Sequence, residues 1–454
     1  MRYLRVLCGI VLGLAQSWQS VGGGTDFPVN ALLSWGGYLY VGGSFTMVNG
    51  SALQAQGIAR WTDNSWQAIA NPGAGGNGKI NVMTVYQGKL IVGGDFTGIG
   101  STSANNLAAY DPTTNTWASV GGGVNGEVQA LYVYDGELLV GGTFTRVGAP
   151  PNEQPIAFFA RWDGTTWKAP DPRYPGYLLI GGNPRAFAEY NGKLYVGGNF
   201  VAAYYNQTDR AYLAIWDKAT QTLLPAYAPG QGPDNNVWAL AVWDNKLYIG
   251  GEFQVIGGIS SPRLAVFNGV AYQAVPGSPS SGRVQALLPA PSDLYVAGNF
   301  TSAGGQAVHR VAKLSLRGTW SALGPGIGPL IVNTLAVYNG RLYAGGNFTQ
   351  DGAGNPLNYI ATYSMPLMLS RPSDELPLSV DYASPFLTLT ATQNFEGTLT
   401  LFSLMGETLV SRSLSLSPQT PEVINLSPWP AGLYVLSITF RASPVISMKI
   451  PLLP

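Results

Sequence analysis

The 454-residue sequence has almost no cysteine or histidine: Cys8 and His309 are its only residues of these types. Disulfides, thiolate catalysis and ordinary zinc sites need such side chains, so their scarcity argues against all three. A catalytic triad would have to use His309, which we interpret instead as a hydrogen-bonding loop residue. Cys8 lies in an apolar N-terminal run, so we expect no cysteine in the exported chain.

Charge is also scarce. Charged residues are 11% of the chain, and 24 basic residues balance 24 acidic ones. Because no basic tract is present, nucleic acids and anionic membranes are poor candidate partners. No segment after the N-terminus approaches the ~18 uninterrupted apolar residues of a membrane-spanning helix, so we expect no transmembrane segment.

The first 17 residues have the pattern of a signal peptide. Arg2 and Arg5 give a positive start, Val6 to Leu14 an apolar run, and Ala15 to Ser17 small residues suited to cleavage. We therefore expect export. A secreted protein without disulfides fits the surface of a bacterium, reached through the periplasm.

Glycine and proline are abundant, at 59 and 32 residues, and they indicate turn-rich β structure. The motif Gly-Gly-x-Phe, with one Ala-Gly variant, recurs seven times at intervals of about 50 residues. Its phenylalanines are Phe45, Phe96, Phe144, Phe200, Phe253, Phe300 and Phe348. A complete unit contains four strand-like segments, and turns such as Asp135-Gly136 close the first hairpin. This arithmetic predicts an all-β fold with a seven-bladed β-propeller over residues 18–364.

Unit seven lacks a fourth strand after "YIATYS", whereas the segment "SWQSV" at residues 17–21 precedes unit one without a blade of its own. We therefore expect this N-terminal strand to complete blade seven and close the ring, which removes the exposed sheet edges.

The repeated motif has a structural interpretation. The glycine pair would let the second strand bulge or approach the next blade, and the phenylalanine would fill the space between blades. The residue between them is polar in every unit. We interpret it as a partner for local backbone groups; the alternative is a ring of ligand contacts, formed by Ser44, Asp95, Thr143, Asn199, Glu252, Asn299 and Asn347.

The composition changes after Ser364. Residues 365–377 resemble a linker, and residues 378–454 alternate apolar and polar residues in short segments, which predicts a small β-sandwich domain.

Motifs in this domain resemble the C-terminal sorting domain of type IX (Por) secretion, type A-like. They are "LFSLMGETLV" around Gly406, "INLSPWPAGLYVLSI" with Gly432 and Tyr434, and "MKI" with Lys449. The resemblance implies export across the outer membrane, with the secretion machinery as partner, followed by release or anchoring at the cell surface. The "LYVGG-x-FT" units of residues 18–364 are in turn similar to propeller repeats of surface proteins and distantly kelch-like.

Other chemical motifs are weak. The run "GAGGNG" at Gly73 to Gly78 satisfies a dinucleotide-binding pattern, but no helix follows to receive a phosphate. No loop has the sequence of a calcium-binding loop, and we predict no cofactor and no metal; the alternative is a calcium ion held by backbone carbonyls.

Loop length gives the best pointer to a binding site. The longest connection links units three and four, and a second long loop lies within unit four. Both carry tyrosine and arginine residues, which are suited to contacts with sugars or proteins when they are exposed. They are Arg173, Tyr174, Tyr177, Arg185, Tyr204, Tyr205 and Arg210. The hypothesis is a non-enzymatic propeller that binds glycan or protein through its loop face. The alternatives are a polysaccharide hydrolase or lyase with paired carboxylates in the funnel, and a structural envelope component.

Overall fold

A computed structural model describes residues 17–69, 78–173, 179–180, 182–203 and 211–364, and seven strands between Leu378 and Leu452. The chain divides into two compact units, Met1–Ser364 and Met365–Pro454. The described parts of both units are built from strands and turns without helices. Accordingly, no helix in those parts is long and apolar enough to cross a membrane.

The first unit is a seven-bladed β-propeller, as predicted. Each blade is an antiparallel sheet of four strands, and successive strands are neighbours from the innermost to the outermost. The strands of blades 1 to 4 are Val29–Trp35, Tyr38–Gly43, Ile58–Trp61 and Trp66–Ala68; Lys79–Tyr86, Lys89–Asp95, Leu107–Asp111 and Thr116–Ser119; Val128–Tyr134, Glu137–Gly142, Phe159–Trp162 and Trp167–Lys168; and Pro184–Tyr190, Lys193–Gly198, Leu213–Asp217 and Thr222–Pro225. Those of blades 5 to 7 are Val237–Trp243, Lys246–Gly251, Leu264–Phe267 and Tyr272–Ala274; Val284–Pro289, Asp293–Gly298, Val311–Ser315 and Trp320–Ala322; and Val332–Tyr338, Arg341–Gly346, Ile360–Ser364 and Trp18–Ser20.

Short two-stranded ribbons decorate the loops between the second and third strands. Four of them fold one such loop onto itself: Met47–Val48 with Leu53–Gln54, Gly98–Ile99 with Thr102–Ser103, Val255–Ile256 with Ile259–Ser260, and Ser302–Ala303 with Gln306–Ala307. Two others join such a loop to the connection between blades: Leu179–Ile180 with Ala202–Ala203, and Ile327–Gly328 with Gln350–Asp351. These two sets of loops therefore share one face of the ring, which we call the loop face.

The N-terminal strand lies at the outer edge of blade 7, where Trp18 pairs with Tyr363. The Trp18 indole N–H donates a hydrogen bond of 3.0 Å to the Leu323 carbonyl, and the side chain is 2% exposed. The tryptophans of three other outermost strands make the same bond to the preceding blade's connection: Trp66 to Gly22, Trp167 to Gly121 and Trp320 to Pro276. In blade 7, Trp18 therefore makes the hydrogen bond that Trp66, Trp167 and Trp320 make in blades 1, 3 and 6.

The repeated phenylalanines are all buried, and six of them, all except Phe348, lie in described apolar clusters that span neighbouring blades. Phe45, for example, packs with Tyr338 and Tyr343 of blade 7, and Phe300 packs with Trp243 and Tyr248 of blade 5. The predicted role between blades is therefore confirmed.

The two glycines of the motif have different roles, which Gly42 and Gly43 illustrate. A Cβ atom on Gly42 would lie 2.7 Å from Ile80 Cγ2, so the first glycine lets the next blade approach. A Cβ atom on Gly43 would overlap the carbonyl oxygen of Pro28, which immediately precedes the same blade's innermost strand. Here the prediction needs correction: the bulge lies in the first strand and not in the second, and the second glycine makes room for it.

The C-terminal unit consists of two antiparallel sheets, the strand content of a small β-sandwich. The three-stranded sheet contains Leu378–Ala383, Phe386–Ala391 and Glu422–Asn425. The four-stranded sheet contains Thr408–Leu416, Phe395–Ser403, Gly432–Phe440 and Ile446–Leu452.

Replacing Trp18 tests the closure. We expect Trp18→Ala to lower the free energy of unfolding of the propeller by about 3–5 kcal/mol, because it removes a fully buried indole and its hydrogen bond. Urea denaturation followed by tryptophan fluorescence measures the change. Ser20→Ala, at an exposed position of the same strand, is the control. Equal stability of the two variants would contradict a structural role for this strand.

Candidate functional site

Each innermost strand contains a β-bulge at the same place. In all seven blades its pairing with the second strand skips one residue, so that a single extra residue lies opposite the glycine pair, or opposite Ala297-Gly298 in blade 6. A bulge re-aims the side chain of the extra residue. The extra residues are Asn30, Asn81, Gln129, Arg185, Trp238, Gln285 and Asn333, which we call the bulge ring.

The bulge ring surrounds the central channel. Its seven side chains, with Lys79 and Glu127, line one cavity of about 330 Å³. Because every blade contributes its innermost strand, the cavity lies on the axis of the propeller. The bulges occur where the innermost strands begin, next to the connections between blades, so the cavity lies at the loop-face end of the channel. This volume falls in the range of small-ligand sites.

In blades 7, 1 and 2, the ring residue is an asparagine that bonds to the next blade. The Nδ2 atoms of Asn333, Asn30 and Asn81 each donate a hydrogen bond of 3.1 Å, to the carbonyl oxygens of Val29, Ile80 and Val128 respectively. Each acceptor immediately precedes a ring residue. This part of the ring therefore satisfies its own hydrogen bonds and holds the blades in register.

Glu127 is the one carboxylate among the residues that line the cavity. Lys79 Nζ lies 2.7 Å from it, and the side-chain amides of Asn81 and Gln129 donate to it at 2.9 and 2.7 Å. Burial acts to raise the pKa of Glu127, but Lys79 and the two amides outweigh this effect and lower it. The group is thus a fixed anion rather than a proton donor.

Blades 4, 5 and 6 differ, because their ring residues Arg185, Trp238 and Gln285 leave polar atoms unsatisfied. We call these three residues the open arc. Arg185 Nε, Trp238 Nε1 and Gln285 Oε1 are buried and have no hydrogen-bond partner within the described chain. The same is true of Arg283 Nε, two residues before Gln285. Such atoms are costly unless a partner is supplied.

Two guanidinium groups lie against the indole of the open arc. The Cζ atoms of Arg185 and Arg283 are 4.8 and 4.6 Å from the centre of the Trp238 ring, which is cation–π geometry. Arg283 also pairs with Glu252 at 3.3 Å. Burial lowers the pKa of Arg185; Glu127 opposes this effect and Arg283 adds to it. Arginine nevertheless stays protonated at neutral pH.

Each polar residue of the Gly-Gly-x-Phe motif directly follows the glycine that pairs with the residue before the bulge. Asn199 and Asn299 accept hydrogen bonds from the backbone N–H groups of Asn183 and Arg283, at 2.9 and 2.6 Å. Asn347 accepts from Asn333 at 3.0 Å. Glu252 accepts from Asn236 at 2.9 Å. Ser44, Asp95 and Thr143 are exposed.

Of the seven residues predicted from the long loops, the structure describes two, Arg173 and Arg185. Arg185 lies in the channel, whereas Arg173 forms a bidentate pair with the buried Asp171, at 3.0 and 2.8 Å. The remaining members of that prediction, Tyr174, Tyr177, Tyr204, Tyr205 and Arg210, lie outside the described residues. His309 Nδ1 hydrogen-bonds to the Pro325 carbonyl at 2.8 Å on the loop face.

The sequence contains a signal for the bulge ring that the repeat motif alone does not give. Alignment of the units on their first strand gives the triplets V-N-A, I-N-V, V-Q-A, P-R-A, V-W-A, V-Q-A and V-N-T. The middle residue is an amide in five units. Arg185 and Trp238 are the two exceptions. Nothing in the triplets, however, indicates that the middle residue faces the channel.

Three of the predicted sorting-motif residues, Gly432, Tyr434 and Lys449, lie in the hairpin formed by the last two strands. Tyr434 pairs with Ile450, and Lys449 pairs with Val435. Gly406 lies outside the described residues. In the described parts of the chain, no three Asp, Glu, His or Cys side chains come together as a metal-binding group.

Comparisons with known proteins agree with this architecture. The family model of the Rax2 C-terminal beta propeller domain matches residues 58–153, and that of a beta-propeller domain of unknown function, DUF5122, matches residues 244–268. The chain contains a β-propeller. No curated protein matches the sequence.

Two similar solved structures are extracellular domains of hybrid two-component systems from B. thetaiotaomicron. The first is 12% identical, with a TM-score of 0.51, over 97% of this chain and 58% of that chain. The second is 12% identical, with a TM-score of 0.47, over 97% and 59%. This chain thus spans little more than half the length of either. At such identity, the similarity of the first is evidence of fold alone.

The lowered pKa of Glu127 predicts that its contribution to stability depends on pH. A carboxylate whose pKa is lowered by folding stabilises the protein above its ordinary value of 4.5, and this contribution is lost as the pH falls through the lowered value. We expect Glu127→Gln to lower the free energy of unfolding by up to about 1 kcal/mol at neutral pH, with a smaller deficit below about pH 4. Urea denaturation at both pH values tests this. Glu189→Gln, at an exposed position, is the control; a deficit independent of pH would contradict the assignment.

Proposed function

We propose that this protein is an exported, non-enzymatic binding protein that takes a glycan into the loop-face end of its propeller channel. The observation that carries the proposal is the open arc. Seven equivalent positions line one cavity, and three adjacent ones, Arg185, Trp238 and Gln285, have polar atoms for which the described protein supplies no partner.

A glycan fits the chemistry of this cavity. Sugar hydroxyl groups both donate and accept hydrogen bonds, and the open arc offers both functions, because Arg185 and Trp238 are donors and Gln285 Oε1 is an acceptor. Trp238 adds an aromatic ring with a donor N–H, a combination suited to ligands that are polar and apolar at once. A concave site of about 330 Å³ is also better matched to one or two sugar units than to a broad protein surface.

Binding is favoured over hydrolysis because the lining of the cavity contains a single carboxylate. A two-carboxylate mechanism needs a general acid with a raised pKa beside a second carboxylate. The pKa of Glu127 is instead lowered, and Lys79, Asn81 and Gln129 occupy its oxygens. The hydrolase or lyase hypothesis therefore finds no support in these residues.

A protein ligand is the second candidate, and two rim residues favour it. Phe27 and Leu330 are 53% and 56% exposed. Each lies two residues before the innermost strand of its blade, and the two blades, 1 and 7, are neighbours in the ring. Exposed apolar side chains beside a channel mouth are suited to a protein contact.

The proposed location is the surface or surroundings of a bacterial cell. It rests on the signal-peptide pattern of residues 1–17 and on the similarity of residues 378–454 to type IX sorting domains, with the outer-membrane secretion machinery as partner. The kelch-like character of the repeats belongs to the same proposal. The first of the similar solved structures is itself an extracellular domain.

A glycan array followed by calorimetry on the full chain tests the binding proposal. We expect a soluble oligosaccharide to bind, and we expect Trp238→Ala to weaken binding by at least about tenfold, as loss of a central aromatic contact does. Val242→Ala, exposed on the same strand but distant from the bulge, is the matched control and should bind normally. A folded wild-type protein that binds no glycan on the array would contradict the proposal.

Export can be tested separately in a bacterium that has type IX secretion. We expect the full chain to reach the cell surface or medium, and a chain cut after Ser364 to accumulate in the periplasm. Fractionation with immunoblotting measures the distribution, and Lys449→Ala and Tyr434→Ala test individual motif residues. Efficient surface delivery of the truncated chain would refute the sorting role.

A further inference from the structure

We infer that the glycan bound in the channel is acidic, and that its carboxylate is recognised by Arg185. This inference rests on the proposed function, because it specifies the ligand class of the same site. The supporting observations are the distribution of charge around the channel and the hydrogen-bonding character of the open arc.

Arg185 is the cation that the described channel leaves without an ion pair. Three basic side chains surround the cavity. Lys79 pairs with Glu127 at 2.7 Å, and Arg283 pairs with Glu252 at 3.3 Å. Arg185 contacts the Trp238 ring, while its Nε is buried without an acceptor. Of these three basic side chains, Arg185 is therefore the one for which the described residues supply no ion pair, and a ligand could provide it.

A guanidinium with this environment is well suited to a carboxylate. Removing a charged group from water is unfavourable unless an opposite charge with good hydrogen-bond geometry accompanies it. The planar fork of arginine can donate two parallel hydrogen bonds to a carboxylate. The aromatic contact with Trp238 restricts the guanidinium, so less conformational entropy is lost on binding.

The other atoms of the open arc indicate that the carboxylate is carried by a sugar. Gln285 Oε1 needs a donor, and Trp238 Nε1 needs an acceptor. A sugar hydroxyl can serve either atom, and uronic acids carry hydroxyls and a carboxylate on one ring. A peptide carboxyl terminus would fit Arg185, but the apolar rim residues Phe27 and Leu330 belong to blades 1 and 7, across the ring from blade 4.

Calorimetry on the full chain with matched acidic and neutral sugars tests this inference. The probes are uronate trisaccharides of glucuronic, galacturonic and mannuronic acid, the methyl ester of each, and an N-acetylated tripeptide with a free carboxyl end. The variants are Arg185→Gln, which removes the charge, and Arg185→Lys, which keeps it. Arg317→Gln, at an exposed turn of blade 6, is the control for net charge.

We expect at least one uronate to bind about tenfold or more tightly than its methyl ester. Binding of this uronate should weaken in high salt. Arg185→Gln should abolish the preference, Arg185→Lys should retain part of it, and Arg317→Gln should change nothing. Equal binding of uronates and esters would overturn the inference and leave the glycan proposal standing. Binding of the tripeptide alone would overturn both, and so would a failure of every probe together with a blank glycan array. If Arg185→Gln does not fold, Arg185→Lys is the test. A preference for the uronate over its ester that equals the wild-type preference and persists in high salt would then overturn the inference.

Discussion

The β-bulge in each innermost strand is the constraint on which the rest of this propeller depends. It exists because a glycine pair on the second strand leaves room for one extra residue, and a Cβ at Gly43 would overlap the carbonyl of Pro28. The same glycines let the next blade approach, as Gly42 does with Ile80. One sequence feature thus determines both the packing between blades and the side chains that face the channel.

Seven copies of this feature make a ring that is nearly symmetric in backbone but not in chemistry. In blades 7, 1 and 2, asparagine side chains bond to the next blade and serve the architecture. In blades 4, 5 and 6, an arginine, a tryptophan and a glutamine occupy the same positions without such partners. Because the scaffold is stabilised elsewhere, by buried phenylalanines and by the closing strand, these positions are free to vary with function.

Much of the fold could be predicted from the sequence, since a repeat of strand, tight turn and strand admits few arrangements. The seven phenylalanines give the number of blades, and the surplus segment around Trp18 gives the point of closure. The glycine pair predicts a bulge in its own strand, whereas in the structure glycine accommodates a bulge in the strand opposite. Register of this kind depends on pairing between strands, which a local pattern does not contain.

The site was harder to predict, for a related reason. Loop length and the presence of tyrosine and arginine selected Arg173 and Arg185 together, but Arg173 pairs with the buried Asp171 while Arg185 faces the channel. The sequence does not single out Trp238 and Gln285, because strand residues between apolar neighbours are usually part of a sheet surface. Only the coincidence of seven bulges around one axis reveals that they share a cavity.

A crystal structure of the full chain grown with a bound uronate oligosaccharide tests the central claim most directly. The account predicts density for the sugar at the loop-face end of the channel, with its carboxylate on Arg185 and hydroxyls within hydrogen-bond distance of Trp238 Nε1 and Gln285 Oε1. Density for the sugar on the outer loops, with the bulge ring closed by contacts among its own side chains, would contradict it.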